Sequence, residues 1–378
     1  MPRARRHKSA EARMCGREAL PWIMALAHFA PCRCTKSCPV LSLRAVPRSI
    51  QSINGAAHVS SATGNRCPEA ALGTKGMDAF DVLKCLGQGA FGRALLCRDR
   101  ATTELVVVKE VRCPDEDALR QASREASLLR EHEHSNICRH VASFADGASR
   151  RFYLVMEYAD GGDLAAAIAR RRKAGWRYWP EPDALGIFVM CCLALRHVHA
   201  KRILHRDVKA ANVFLTKTGV VKLGDFGVST KLGLDGARTG LARTQVGTPY
   251  YLAPEVFEGR PYGKAADVWS LGVLLYETLA LKVPFDAPSM AALCRVVTAR
   301  HVTPPPLPRQ YSTEANGLVR RLLTREPDRR PSTEKLIRTD AYVRKHMREV
   351  LSATAGGKPL ATSDDARNAP TTPGAPRP

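Results

Sequence analysis

The stretch "HRDVKAANVFLTKTGVVKLGDFG", residues 205–227, reads as a hairpin with chemistry gathered at its open end. Val213-Phe214-Leu215 and Val220-Val221-Lys222-Leu223 are short runs of β-branched and apolar residues, which suit strands. Between them "TKTG" (216–219) supplies a turn ending in glycine. Pairing the two strands brings their outer ends together, so Asn212 and Asp225 become neighbours. One carboxylate and one amide oxygen are hard ligands, suited to a Mg2+ ion that is also held by the phosphates of a substrate. Asp207 and Lys209 lie just upstream, at the same end of the hairpin. A carboxylate there can accept a hydroxyl proton, and a lysine can neutralise a phosphoryl group in transit.

Upstream, "LGQGAFGRALLCRD" (86–99) carries G-x-G-x-x-G at Gly87, Gly89 and Gly92. That spacing alone fits more than one phosphate-binding device. A dinucleotide site needs a helix starting inside the motif. A P-loop needs Lys and Ser/Thr directly after the last glycine, where this chain has Arg93 and Ala94. Beyond Arg93 the chain runs through a short apolar segment, turn residues in "RDRATTE", and then the valine-rich "LVVVKEV" (105–111). The glycines therefore sit in the bend of an antiparallel hairpin, as a flap over phosphates would. Its residues Leu86, Gly87, Gln88, Gly89, Ala90, Phe91, Gly92, Arg93 and Ala94 are candidates for nucleotide contact. Lys109 stands within the valine run, and Glu125 within the helical pattern of "DEDALRQASREASLLREHEH" (115–134). Taken singly, each of these polar residues has a bland reading as a turn, cap or solvated side chain. Their order and spacing together do not.

The 378-residue chain has no run of the ~18–20 uninterrupted apolar residues that cross a bilayer. Its 12 cysteines show no disulfide-framework spacing, which indicates a reducing compartment. The net charge of +22 divides into +9 on residues 1–76, +12 on 77–345 and +1 on 346–378. No run is read as interleaving basic and aromatic residues into a base-stacking platform, so nucleic acid is not expected as a partner. A basic surface favours acidic partners or solubility.

Residues 1–76 form a basic, Cys-containing extension. Its apolar run "ALPWIMALAHFA" (19–30) is broken by Pro21 and His28 and followed by no clear cleavage site. It is read as disordered extension rather than organelle-targeting peptide. The extension is expected to be dispensable for catalysis, with Met77 a working start. From Phe80 the pattern becomes α+β. A small β-rich lobe with one main helix (80–158) leads through a hinge near 157–162 to a larger, mostly α-helical lobe (163–345). "PDALGIFVMCCLALRHVHA" (182–200) and "DVWSLGVLLYETLAL" (267–281) read as buried helices. Residues 346–378 read as a disordered tail, and with no heptad run after the large lobe, coiled-coil dimerisation is not expected.

In this order the motifs resemble the protein kinases: Gly-rich loop, strand lysine, H-R-D-x-x-x-x-N (205–212), D-F-G (225–227) and A-P-E (253–255). The resemblance covers about residues 80–345, within a domain set at 77–345. It implies the two-lobed protein kinase fold and Mg2+-dependent phosphoryl transfer from ATP to protein substrates. Lys209, two residues after Asp207, matches the serine/threonine type. "ILHRDVKAANVFL" (203–215), "LGDFG" (223–227), "LARTQVGTPYYLAPE" (241–255), and Ala94 and Val107 on either side of the adenine roof are similar to the NIMA-related kinases. "KAAN" and "DFGVST" are shared with the Ste20-like kinases, an alternative reading alongside a pseudokinase scaffold.

The resemblance also implies roles. Lys109 holds the α/β-phosphates and pairs with Glu125; Asn212 and Asp225 hold Mg2+; Asp207 orients and deprotonates the acceptor hydroxyl, with Lys209 beside it. Met156 is the gatekeeper, and Glu157 and Ala159 offer backbone groups to adenine. Phe226, His205 and Leu129 stack as a spine, Asp267 anchors the catalytic loop, and Glu255 pairs with Arg330. Thr244 is the activating phosphosite, set by an upstream kinase and paired with Arg206; Thr248 faces the catalytic Asp. A cytoplasmic, cytoskeleton-associated or nuclear enzyme is implied, with a cell-cycle, microtubule or cilium role.

Overall fold

The structure is a computed structural model that describes residues 76–89, 92–227, 229–231 and 249–355. Residues 1–75 of the expected extension 1–76, Ala90 and Phe91 of the glycine flap, Thr244 and Thr248, and the chain beyond 355 lie outside these residues.

The small lobe is built on an antiparallel sheet of β1 (Phe80–Gly89), β2 (Gly92–Asp99), β3 (Leu105–Arg112), β4 (His140–Asp146) and β5 (Arg151–Glu157), in the order β1-β2-β3-β5-β4. Alternation along β3 divides the sheet into two faces. Val106 and Val108 pack with Phe80, Leu95, Cys97, Phe144, Tyr153 and Val155 into a cluster on one side. Val107, Lys109 and Val111 therefore take the other side, toward α1 and the cleft. α1 (Glu116–Glu131) packs against β4 and β5. It opens at Asp115, whose carboxylate accepts the Ala118 N–H at 2.8 Å and satisfies one of the helix's unpaired first-turn donors. Ala122, Ala126, Leu128 and Leu129 bury its apolar face, and Glu125 is buried among them.

The large lobe grows around two helices that are apolar nearly all round, α3 (Glu181–Ala200) and, further along the chain, α5 (Lys264–Ala280). By length and composition α3 could cross a membrane, but most of it is buried inside the lobe. α2 (Leu164–Lys173) precedes α3, and α4 (Pro254–Phe257) precedes α5. α6 (Met290–Val297), α7 (Thr313–Leu322), α8 (Thr333–Arg338) and α9 (Ala341–Ala355) come after it, and α8 and α9 lie against α3. Gly272 in α5 allows close helix packing, because a Cβ there would stand 2.7 Å from the Leu322 Cβ.

α9 corrects the expected boundary at 346. The sequence "AYVRKHMREV" keeps helical spacing, and Val343, His346 and Val350 are buried on α3's side of the lobe. Residues 346–355 therefore belong to the folded lobe and not to a tail.

Glu255 and Arg330 pair inside the lobe, with side-chain exposures of 1% and 0%. Arg330 Nη1 and Nη2 donate to the two Glu255 oxygens at 2.7 and 2.8 Å. Its remaining N–H groups reach the carbonyls of Thr324, Ala265 and Arg325, and the guanidinium stacks over Trp269. Removing one partner strands a buried charge, which costs about 3–5 kcal/mol. Arg330→Ala is accordingly expected to lower unfolding free energy by about that amount in a denaturant titration, whereas a loss below ~1 kcal/mol would show the pair to be dispensable.

Candidate active site

The hairpin at the heart of the site follows the short strand β6 (Ile203–Leu204) and is β7 (Val213–Leu215) paired with β8 (Val221–Leu223), in register Val213↔Leu223. At its open end the Gly224 N–H donates to the Asn212 carbonyl at 3.0 Å, so the backbones leading to Asn212 and Asp225 meet as expected. The Asn212 amide nitrogen donates to the Asp207 carbonyl at 2.8 Å and to Asp207 Oδ2 at 2.9 Å. Lys209 Nζ donates to the same Oδ2 at 2.7 Å. Asp207, Lys209 and Asn212 thus form one connected group.

A second group comes from three separate segments. Lys109 Nζ on β3 lies 2.7 Å from Glu125 Oε1 on α1 and 2.8 Å from Asp225 Oδ1 after β8. Burial opposes the charge on Lys109, yet the two carboxylates outweigh it and hold the ammonium above its usual range. Burial would likewise push Asp225 up, and contact with Lys109 reverses this and lowers it. Asp225 sits at φ 62, a strained conformation for a non-glycine residue that costs on the order of 1–3 kcal/mol and persists because its surroundings dictate it.

The catalytic-loop backbone is pinned by Asp267, buried on α5. Its oxygens accept the N–H groups of His205 (2.9 Å) and Arg206 (2.8 Å) and Nε2 of His199 (2.8 Å). Burial favours the neutral acid, but these donors keep Asp267 below the ordinary carboxylate range. Arg206 takes φ 68 under this constraint and stacks over Tyr262 at 5.3 Å. Its buried Nε has no hydrogen-bond partner among the described residues. The His205 ring lies 4.6 Å from that of Phe226, and Leu129 shares their buried cluster.

In the sheet, Ala94 is paired with Lys109 and Val107 with Met156, so the four side chains share the face toward the cleft. The Glu157 N–H is already bonded to the Arg139 carbonyl at 3.0 Å, and its carboxylate to Lys222 at 2.8 Å. Ala159 comes after β5 in the connection to α2. Gly92 is indispensable for a packing reason: a Cβ there would stand 1.8 Å from the Glu110 carbonyl. Leu86, Gly87, Gln88 and Gly89 lie on β1, exposed, with Gly89 paired to Gly92.

One expectation needs correction. The Arg93 side chain, counted with the nucleotide contacts, is engaged elsewhere. It is held by buried Glu110 through two hydrogen bonds at 3.1 and 3.0 Å across the β2–β3 pair. Sequence reasoning also missed Tyr251. Its hydroxyl accepts the Ala210 N–H at 3.2 Å and donates to Glu277 on α5, tying the segment before A-P-E to the catalytic loop. Opposite-strand register could have revealed Arg93–Glu110; nothing local in "GTPYYLAPE" reveals the Tyr251 contact.

Hard oxygen acceptors, an ammonium shared between two carboxylates and a further carboxylate beside a lysine in one cleft are groups that phosphoryl transfer uses. Residues 80–342 match the protein kinase domain model, and the chain belongs to the protein kinase family. Within that family it is similar to the Nek proteins. Serine/threonine-protein kinase Nek3 of Mus musculus is 44% identical over 262 residues, covering 69% of this chain and 49% of Nek3. Serine/threonine-protein kinase Nek5 of Homo sapiens is 40% identical over 267 residues, covering 69% and 36%. Serine/threonine-protein kinase Nek2 of Homo sapiens is 37% identical over 268 residues, covering 68% and 58%. The chain thus spans about half or less of the length of the first two relatives.

Burial pushes His205 below the ordinary imidazole range, against the pull of Asp267, Asp207 and Asp225. A folded-state value below the unfolded ~6.5 means the unfolded chain binds the extra proton. This contribution to stability is complete above about pH 6.5 and is lost as pH falls toward the folded-state value. An NMR titration of the histidine C2–H signals is expected to show one imidazole, absent in His205→Gln, still neutral below pH 6.5; protonation at or above that pH would contradict the assignment.

Proposed function

We propose that the chain is a serine/threonine protein kinase of the NIMA-related type, transferring the γ-phosphoryl group of ATP to hydroxyls of protein substrates. The observation that carries this reading is the Lys109 bridge between Glu125 and Asp225, formed beside an Asp207–Lys209–Asn212 group. In the proposed mechanism Lys109 binds and orients the α/β-phosphates, and Glu125 fixes the Lys109 side chain. Leu86, Gly87, Gln88, Gly89, Ala90, Phe91, Gly92 and Ala94 cover the nucleotide, with Met156, Glu157 and Ala159 around the base.

The donor set also fits a magnesium ion. Asp225 Oδ1 serves Lys109 and the Asn212 nitrogen serves Asp207, which leaves Asp225 Oδ2 and Asn212 Oδ1 accepting no bond from the described residues. Those two oxygens would hold the ion, which supplies charge neutralisation at the phosphates when bound. Asp207 receives the acceptor hydroxyl's proton, and Lys209 screens the charge that gathers beside it. A location in the cytoplasm, at the cytoskeleton or in the nucleus, with a cell-cycle, microtubule or cilium role, belongs to the same proposal. It rests on similarity to the Nek proteins alone.

The test is incorporation of radiolabelled phosphate from ATP into a generic protein substrate. Asp207→Asn is expected to leave ATP binding nearly intact and to lower kcat by ~10²–10⁴-fold. Full turnover by Asp207→Asn would refute the role of Asp207. Nucleotide binding with no transfer under any activating condition would favour a pseudokinase scaffold.

Activation is proposed to run through Thr244, whose phosphate would bring about −2 charge to Arg206. Support comes from Arg206 Nε, buried with no partner among the described residues. Mass spectrometry of the active protein should find phosphate on Thr244, and Thr244→Ala should be strongly impaired. An unphosphorylated Thr244→Ala protein with full activity would exclude this route.

A further inference from the structure

Between Asp163 and Glu181 the chain has no acidic residue, while "RRRKAGWRYW" (170–179) packs five basic side chains and three aromatic ones into ten positions. This run interleaves basic and aromatic residues, though without the successive open rings of a base-stacking platform. Its first half lies in the last turn of α2, where cations complement the helix dipole. The dipole does not account for the rest. Arg177 stands four residues past the end of α2. Arg172, Lys173 and Arg177 are exposed and make no ion pair among the described residues.

The chain reverses directly after the helix. Gly175 at φ 82 and Trp176 at φ 58 carry the reversal, closed by Trp176 N to Arg172 O at 3.3 Å and Arg177 N to Arg171 O at 3.1 Å. Bulky residues rarely adopt that conformation. Here it leaves Trp176 43% exposed, next in sequence to Arg177 and bonded through its N–H to the Arg172 carbonyl. Arg171 braces the turn from below, with Nη1 on the Arg177 carbonyl and its guanidinium over the buried Trp179.

This surface adjoins the site. Ala210, three residues past Asp207, donates to the Tyr251 hydroxyl, which donates to Glu277. Glu277 lies within electrostatic reach of Arg172. That carboxylate is half-buried and accepts the Tyr251 hydroxyl, and it forms no ion pair with Arg172 among the described residues.

We propose that Arg172, Lys173 and Arg177, with Trp176, form a docking subsite for acidic residues of the protein substrate, placed some positions along the chain from the acceptor hydroxyl. The proposal rests on the kinase reading and narrows its substrate class. A single-stranded nucleic acid fits less well, because stacking needs successive open rings. Trp179 is buried, and Tyr178 is partly buried, edge-on to Tyr311.

The experiment uses the full chain and two readouts. Fluorescence anisotropy compares a labelled peptide carrying four glutamates and alanine at the acceptor position with the same peptide carrying glutamines. The glutamate peptide is expected to bind at least about fivefold more tightly in low salt, with the difference fading near 0.5 M NaCl. R172E/K173E/R177E should abolish or invert that preference. In steady-state assays with serine-containing versions, the same substitutions should raise KM for the acidic peptide about fivefold or more and leave kcat and the neutral peptide unchanged. Equal binding of the two peptides, or a charge reversal that changes neither readout, overturns the subsite. So does oligouridylate that displaces the peptide and loses affinity in the variant while peptide KM stays fixed, which would mark a nucleic-acid surface. Because binding needs no turnover, selective binding without phosphoryl transfer would uphold the subsite and defeat the kinase reading instead.

Discussion

One ammonium group holds the two lobes to a common geometry. Lys109 comes from β3, Glu125 from α1 and Asp225 from the segment after the β7–β8 hairpin, and the three meet within 2.8 Å of Lys109 Nζ. The Lys109 side chain is only 29% exposed, so its ammonium relies on these carboxylates in place of much of its water. The bridge therefore makes the position of α1 and the left-handed turn at Asp225 depend on each other. Any movement of α1 away from the sheet would leave Glu125 buried without its cation, or Lys109 with half its compensation. Glu125 is the most enclosed member, its side chain 6% exposed against 29% for Lys109 and 39% for Asp225, and burial pushes its carboxyl up against the pull of Lys109.

Asp267 does for the large lobe what Lys109 does between the lobes. Its carboxylate takes two consecutive backbone N–H groups and one imidazole, and so dictates where His205 and Arg206 stand before Asp207 is reached. The strain at Arg206 and Asp225 lies on either side of the hairpin that presents Asn212. Regular, deeply packed helices and a sheet with an apolar cluster on its outer face absorb that strain elsewhere.

Much of this was legible in the sequence because the relevant signals are local. The "TKTG" turn between two apolar runs fixes which ends of the hairpin meet, and alternation in "LVVVKEV" puts Lys109 on the face opposite Val106 and Val108. The nearly apolar run 182–200 reads as a helix covered on most sides, and most of it is buried inside the lobe. What stayed hidden depended on register and on distance along the chain. Arg93 looks like a flap residue until β2 is aligned with β3, when Glu110 is seen directly opposite it. The helix through Ala355 was obscured because polar positions outnumber Val343, His346 and Val350, the residues buried among those whose side chains are described. Tyr251 and Glu277 are 26 positions apart and share no pattern.

That last contact has a consequence for how the sequence can drift. The Tyr251 hydroxyl is satisfied on one side by the N–H of Ala210 and on the other by a half-buried carboxylate. Proline at 210 would suit the extended chain before it and yet remove the donor. Phenylalanine at 251 would preserve the packing and leave Glu277 without its hydrogen bond. Each exchange looks conservative in isolation, and each changes what the other two positions can accept. Residues 210, 251 and 277 are thus expected to vary as a set across descendants of this chain, an interdependence that no alignment of single motifs would display.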